Sequence, residues 1–202
     1  MNINKHLIFA LSMLLLMGCN GPSTNDDNMK TITPIESIMT RVSVRQFTGD
    51  SISQQQLDTL LRCAMAAPSA MNSQPWAFVV VDDPELLATI GEALPYSRCG
   101  NHPACAIIPC GDMTKALKQS PDFWINDVSA ATQNILLAAH AMGLGAVWTG
   151  IHPNMSYVAL VQELLDLPEH IIPLCIVPIG VPAESPAVKD KWNEQNVHYN
   201  QW

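Results

Sequence analysis

The sequence predicts a layered fold in which a sheet packs around one buried helix. Two observations carry this. Runs with helical apolar spacing alternate along the chain with short strand-like runs. One long segment, residues 122–142, is apolar on most of its faces, which suits a helix covered by neighbours on several sides. The 202 residues are 48% apolar and 14% charged, enough for one buried core and one domain of ordinary size, and unlike a disordered or fibrous chain. Ten Lys and Arg against eighteen Asp and Glu give a net charge of -8, which argues against nucleic acid as a partner and makes any basic cluster conspicuous.

The elements follow in order. Lys5 and His6 precede LIFALSMLLLMGC, an apolar run of signal-peptide length that is short for a bilayer span. Leu16, Met17, Gly18 and Cys19 resemble a bacterial lipobox, with Met17 bulkier than the pattern prefers. The expectation is a signal segment over residues 1–18, a lipidated Cys19 holding the protein at the cell envelope outside the cytoplasm, and a polar tether over 19–31. A simple signal peptide or an uncleaved anchor is the rival reading. The folded domain is expected over 32–202.

Ser53 and Gln56 form a capping-box pattern, and Leu57, Leu60, Leu61, Ala64 and Met65 continue at helical spacing until Pro68. Strands are expected at 77–81, 106–110, 146–148 and 173–181, and helices at 84–93, 122–142 and 155–165. Gly143 and Gly145 end the long helix.

Beyond Cys19 five cysteines remain, an odd number that cannot close into a complete disulfide framework. Cys63, on an apolar helix face, and Cys175, in an apolar strand, read as small core residues. Cys99, His102, Cys105 and Cys110 could be read as zinc ligands, but their gaps lack paired C-x-x-C hooks, so no metal site is expected. A Cys99 to Cys105 disulfide suits an oxidising compartment better.

Three polar clusters remain outside the core. RVSVRQF sets Arg41, Ser43 and Arg45 at alternate positions, so in an extended segment their side chains leave one face and suit an anion. PSAMNSQPW offers Ser69, Asn72, Ser73 and Gln74 on a loop able to bond a polar heterocycle. VKDKW supplies Lys189 and Lys191, again alternate. Four of ten basic residues thus fall in two similar patterns.

RVSVRQF, APSAMNSQPW, NILLAAHAMGLGAVWTG and IGVPAESPAVKDKW, taken together, resemble the nitroreductase family of flavoproteins, in family order and over nearly the whole chain after the tether. The resemblance implies an α+β fold with a mixed or antiparallel sheet and a domain-swapped homodimer binding two FMN molecules at its interface. It also implies ping-pong, two-electron transfer from a small-molecule donor to a nitroaromatic, quinone or similar acceptor. Flavoenzymes of this fold with other chemistry, reductive dehalogenation or heterocycle oxidation, and a flavin-binding surface lipoprotein without turnover are the alternatives.

Carried over by position, Arg41 and Ser43 resemble the residues that meet the FMN phosphate and ribityl chain, with Lys189 and Lys191 joining at the phosphate. Val42 would reach the flavin through its backbone, and Arg45 matches the basic residue near flavin N1 and O2. Pro68, Ser69 and Ala70 resemble the loop contributed by the partner subunit, with Asn72 and Gln74 adding polar contacts. Trp148, Thr149 and Gly150 match the strand end beside flavin N5. The flavin carries the chemistry, so no catalytic acid, base or nucleophile of the protein is expected. Trp124, Trp148 and His152 are candidates to shape the substrate side, and His140 reads as a core histidine. The family generally uses NADH or NADPH, a donor at odds with export, and the chain is too short for the helical insertion that covers larger relatives' sites.

Overall fold

The computed structural model describes residues 32–202, so the signal segment, Cys19 and the tether lie outside the described residues. Helix α1 (Pro34–Thr40) opens the described chain, followed by α2 (Gln54–Met65), β1 (Trp76–Val81) and α3 (Pro84–Ala93). Then come β2 (Cys105–Asp112), α4 (Phe123–Ala141), β3 (Gly145–Ala146), β4 (Thr149–Gly150), α5 (Met155–Leu164), β5 (Ile171–Pro173) and β6 (Cys175–Gly180).

All strand pairings are antiparallel, in the order β1-β2-β6-β3, with β5 beside β2 and β4 beside β6. Alternation along the central strands feeds two cores. Cys105 and Ile107 of β2, with Cys175, Val177 and Ile179 of β6, face α2 and α4. Ala106, Ile108 and Cys110, with Ile176, face α3 and α5. The result is an α+β fold of three layers with an antiparallel sheet in the middle.

Helix α4 buries Trp124, Asp127, Val128, Ala131, Thr132, Ile135, Leu136 and Ala139, and most of its remaining positions are half-buried. Ser53 and Gln56 cap α2 reciprocally, as their spacing predicts.

Two expected strands are broken in the structure. The run expected at 146–148 pairs with β6 at Gly145 and Ala146 and again at Thr149 and Gly150, while Val147 and Trp148 pair with nothing. The run expected at 173–181 is interrupted at Leu174. Pro173 opposes Cys110 and Val177 opposes Ile107, so one strand carries an extra residue. This bulge frees the Leu174 carbonyl to accept the N–H groups of both Ile151 and His152, at 3.1 and 3.0 Å. Helix α1 was not expected. Thr33 and Glu36 form its capping box and Pro34 opens it, but only Ser37 among its residues is buried, so no apolar stripe announces it.

The Cys99 to Cys105 pairing that the sequence left open is not present. Both cysteines are free, as are Cys63, Cys110 and Cys175. Cys105 packs into the core under α4, whereas Cys99 packs into the other. Burial pushes the Cys99 thiol up to about 11 and those of Cys105 and Cys110 up to about 12, which disfavours the reactive thiolate form.

Candidate functional site

Residues 41–45 run extended but outside any ladder. Val44 is buried and its N–H donates to the Ala146 carbonyl at 3.1 Å, so Arg41, Ser43 and Arg45 are directed away from the core. This docking depends on Gly145, where a Cβ would stand 2.6 Å from Val44 Cγ1. Glycine is needed there for close approach.

Arg41, Val42, Ser43 and Arg45 line a groove of about 920 Å³ whose far side is the C-terminal segment with Lys189, Asp190, Lys191 and Trp192. Two of the three polar clusters therefore meet in space. Among the described residues the sole ion pair is Lys115 with Asp112, so none of the groove's four basic side chains is directly paired with a carboxylate, and they outnumber the one acidic side chain in the lining, Asp190. Such a groove suits a multiply charged anion.

A second cavity, about 320 Å³, is lined by Arg45, Trp148, Thr149 and Gly150 together with Tyr96, Ser97, Arg98 and Tyr157. Arg45 lines both cavities. Thr149 is fixed by its hydroxyl, which donates to the Ile176 carbonyl at 2.7 Å. Tyr96, Ser97, Arg98 and Tyr157 were missed by sequence reasoning, as was Gln133 of the groove. Arg98 alone carried a signal: it is one of only ten basic residues in an acidic chain.

The third cluster stands apart. Residues 68–74 line neither cavity of the described chain. Met71, Asn72 and Gln74 take positive φ of 52°, 54° and 49°, a conformation that costs side-chain-bearing residues and persists only under external restraint. The restraints are visible. Ser69 Oγ accepts the Gln74 N–H at 3.0 Å, Gln74 Nε2 donates to Asn72 Oδ1 at 3.0 Å, and the Ala70 N–H donates to Asp127 Oδ1 at 2.9 Å. Asp127 is buried on α4, and its Oδ2, like Ser73 Oγ, is buried without a partner.

His140 is half-buried and its Nε2 lies 2.8 Å from Thr40 Oγ1. Burial, and next the Arg41 guanidinium, hold its pKa below the ordinary histidine value. Trp124 is a core residue, meeting His152 edge-on with centroids 5.1 Å apart, and neither lines a cavity. Of the three candidates for the substrate side, Trp148 alone lines one of these two cavities.

The nitroreductase family model matches residues 38–95 and 100–181. A candidate NADH dehydrogenase/NAD(P)H nitroreductase of Methanothermobacter thermautotrophicus is 40% identical over 177 residues, covering 88% of this chain and 92% of that one. The crystal structure of a candidate NADH dehydrogenase/NAD(P)H nitroreductase from Bacteroides thetaiotaomicron superposes with a TM-score of 0.79 at 41% identity, over 84% of this chain and 98% of that one. An FMN-dependent nitroreductase of Clostridium difficile does so with a TM-score of 0.75 at 28% identity, over 83% and 99%.

Proposed function

Because the chain belongs to the nitroreductase family and is an oxidoreductase, we propose that it holds FMN and reduces small acceptors such as nitroaromatics or quinones with electrons from a nicotinamide donor. The observation that carries this reading is Arg45, which lines both a predominantly basic groove and a smaller cavity lined by aromatic rings. An elongated ligand with an anion at one end and a planar heterocycle at the other fits that arrangement, and both volumes lie in the range of roughly 300 to 1,000 Å³ usual for ligand sites. When bound, FMN supplies two-electron transfer through its ring, which no side chain of the protein can provide.

The chain's own residues bind and orient. Arg41, Lys189 and Lys191 hold the phosphate, Ser43 and the Val42 backbone accompany the ribityl chain, and Arg45 faces the polar edge of the ring. Trp148, Thr149 and Gly150 flank the ring in the smaller cavity. Pro68, Ser69, Ala70, Asn72 and Gln74 reach it from a second copy of the chain, which is consistent with their standing outside both cavities here. Exposed Ile35, Ile38, Met39 and Trp192, each more than half accessible, give a second copy apolar surface to cover. Cys19 is the residue proposed to carry the lipid, on the strength of the Leu16 to Cys19 pattern.

The purified protein is expected to be yellow and dimeric, to bleach on addition of NADH or NADPH, and to regain colour with a nitroaromatic. A colourless monomer that cannot be loaded with FMN overturns the proposal.

A further inference from the structure

Arg45 is exposed, belongs to no strand, and anchors its guanidinium only by a long hydrogen bond from Nη1 to the Ser43 carbonyl, at 3.3 Å. Its backbone is held on both sides by side chains from distant parts of the chain. The Arg45 N–H donates to Glu184 Oε1 at 2.5 Å, across 139 positions. Asn101 Nδ2 donates to the Arg45 carbonyl at 2.7 Å, across 56 positions.

Both holders are themselves fixed. The Asn101 N–H donates to the Arg98 carbonyl at 3.1 Å, in the turn that lines the smaller cavity. Next to Glu184, the Ala183 N–H donates to the Gln46 carbonyl at 3.0 Å, and the Thr48 N–H donates to Val181 at 3.0 Å. Glu184 makes no ion pair among the described residues, so its carboxylate serves the Arg45 backbone rather than neutralising the guanidinium. Hydrogen bonds from N–H to carboxylate are among the strong ones.

We propose that Asn101 and Glu184 are positioning residues which together fix the Arg45 peptide, and so the direction of its guanidinium relative to the two cavities it lines. The inference rests on the FMN reading, since the consequence is read at the flavin. With either bond lost, the peptide on that side of Arg45 is free to rotate, and the guanidinium leaves the edge of the ring although the chain keeps Arg45.

The test uses the full-length chain and compares the affinity for reduced FMN with that for oxidised FMN, from the midpoint potential and the fluorescence of released flavin. Asn101→Ala changes no charge. Glu184→Gln and Glu184→Ala remove the same charge, but only the first retains an oxygen for the Arg45 N–H, so the difference between them isolates the hydrogen bond. Asn101→Ala against wild type, and Glu184→Ala against Glu184→Gln, should each lower the preference for reduced flavin by up to about tenfold, which for a two-electron couple is about 30 mV. In an Arg45→Gln background the same replacements should leave that preference unchanged. An effect that persists without Arg45, or an unchanged preference in a chain that binds FMN, overturns the inference alone. A wild-type chain that takes up no FMN overturns the cofactor reading on which it rests.

Discussion

Arg41 and Arg45 are four positions apart, yet Arg41 is half-buried beside His140 and lines only the groove, while Arg45 is exposed and lines both cavities. A phosphate has the same charge whether or not the flavin is reduced, so Arg41→Ala is expected to weaken oxidised and reduced FMN alike, measured by flavin release on dilution. Reduction adds negative charge to the ring, and in the proposed placement Arg45 stabilises that form more than the oxidised one. At about 1 to 3 kcal/mol for a hydrogen bond to a charged group, Arg45→Gln should lower the midpoint potential by tens of millivolts while flavin remains bound. Potentiometric titration separates the two variants. His140 gives a second test. Because burial and Arg41 lower its pKa in the folded chain, the native state resists the proton that the unfolded chain accepts. Stability is then complete above the ordinary value of 6.5 and is lost as pH falls below it. Urea unfolding at pH 8 and pH 5 should show that loss in wild type and less of it in His140→Gln, a small difference because the ring is partly exposed. The basic residues were legible because alternate spacing in an acidic chain is unusual. Asp127 was not legible, because a carboxylate inside an apolar helix stretch gives no sign in sequence of the loop N–H it will meet.

The capped and periodic elements are those that sequence reading located well. Helix α3 occupies the expected residues, and α2, α4 and α5 come within a residue or two at their ends. The breaks at Val147 and Trp148 and at Leu174 were illegible for a different reason: pairing partners decide them, and the apolar runs continue through both. The loop at 68–74 is the element whose shape depends most on one outside contact. Asp127→Ala strands the Ala70 N–H and should cost about 1 to 3 kcal/mol in urea unfolding and weaken FMN binding, whereas Asp127→Asn keeps an acceptor and should lose less. On the sheet, Gly111 lies opposite Trp76, and a Cβ there would run into the Trp124 indole. Gly111→Ala should cost about 1 to 3 kcal/mol as an overpacked core position, visible as a lower denaturation midpoint.

For the whole molecule, the three polar clusters divide between two groove walls that one chain assembles and a loop that stands outside both cavities. The pairing of RVSVRQF with VKDKW was legible as two similar basic patterns. Their meeting across a groove became visible only in three dimensions, since 144 positions separate Arg45 from Lys189. On the proposal that Cys19 carries a lipid, Cys19→Ser should move the protein from the membrane fraction to the soluble one, or leave its first segment unprocessed, and leave FMN binding intact. Fractionation and intact-mass measurement check this.

The order of strands along the chain has a consequence for biosynthesis. Strand β6 pairs with β2, β3 and β4, all of which precede it, and the groove lysines follow it. Vectorial synthesis therefore delivers the seam of the sheet and the second wall of the groove after every other part of the site. A nascent chain halted before β6 has no complete pocket to offer. Cofactor capture is then a late event on the folding pathway, and flavin supplied during translation should accelerate none of the earlier steps.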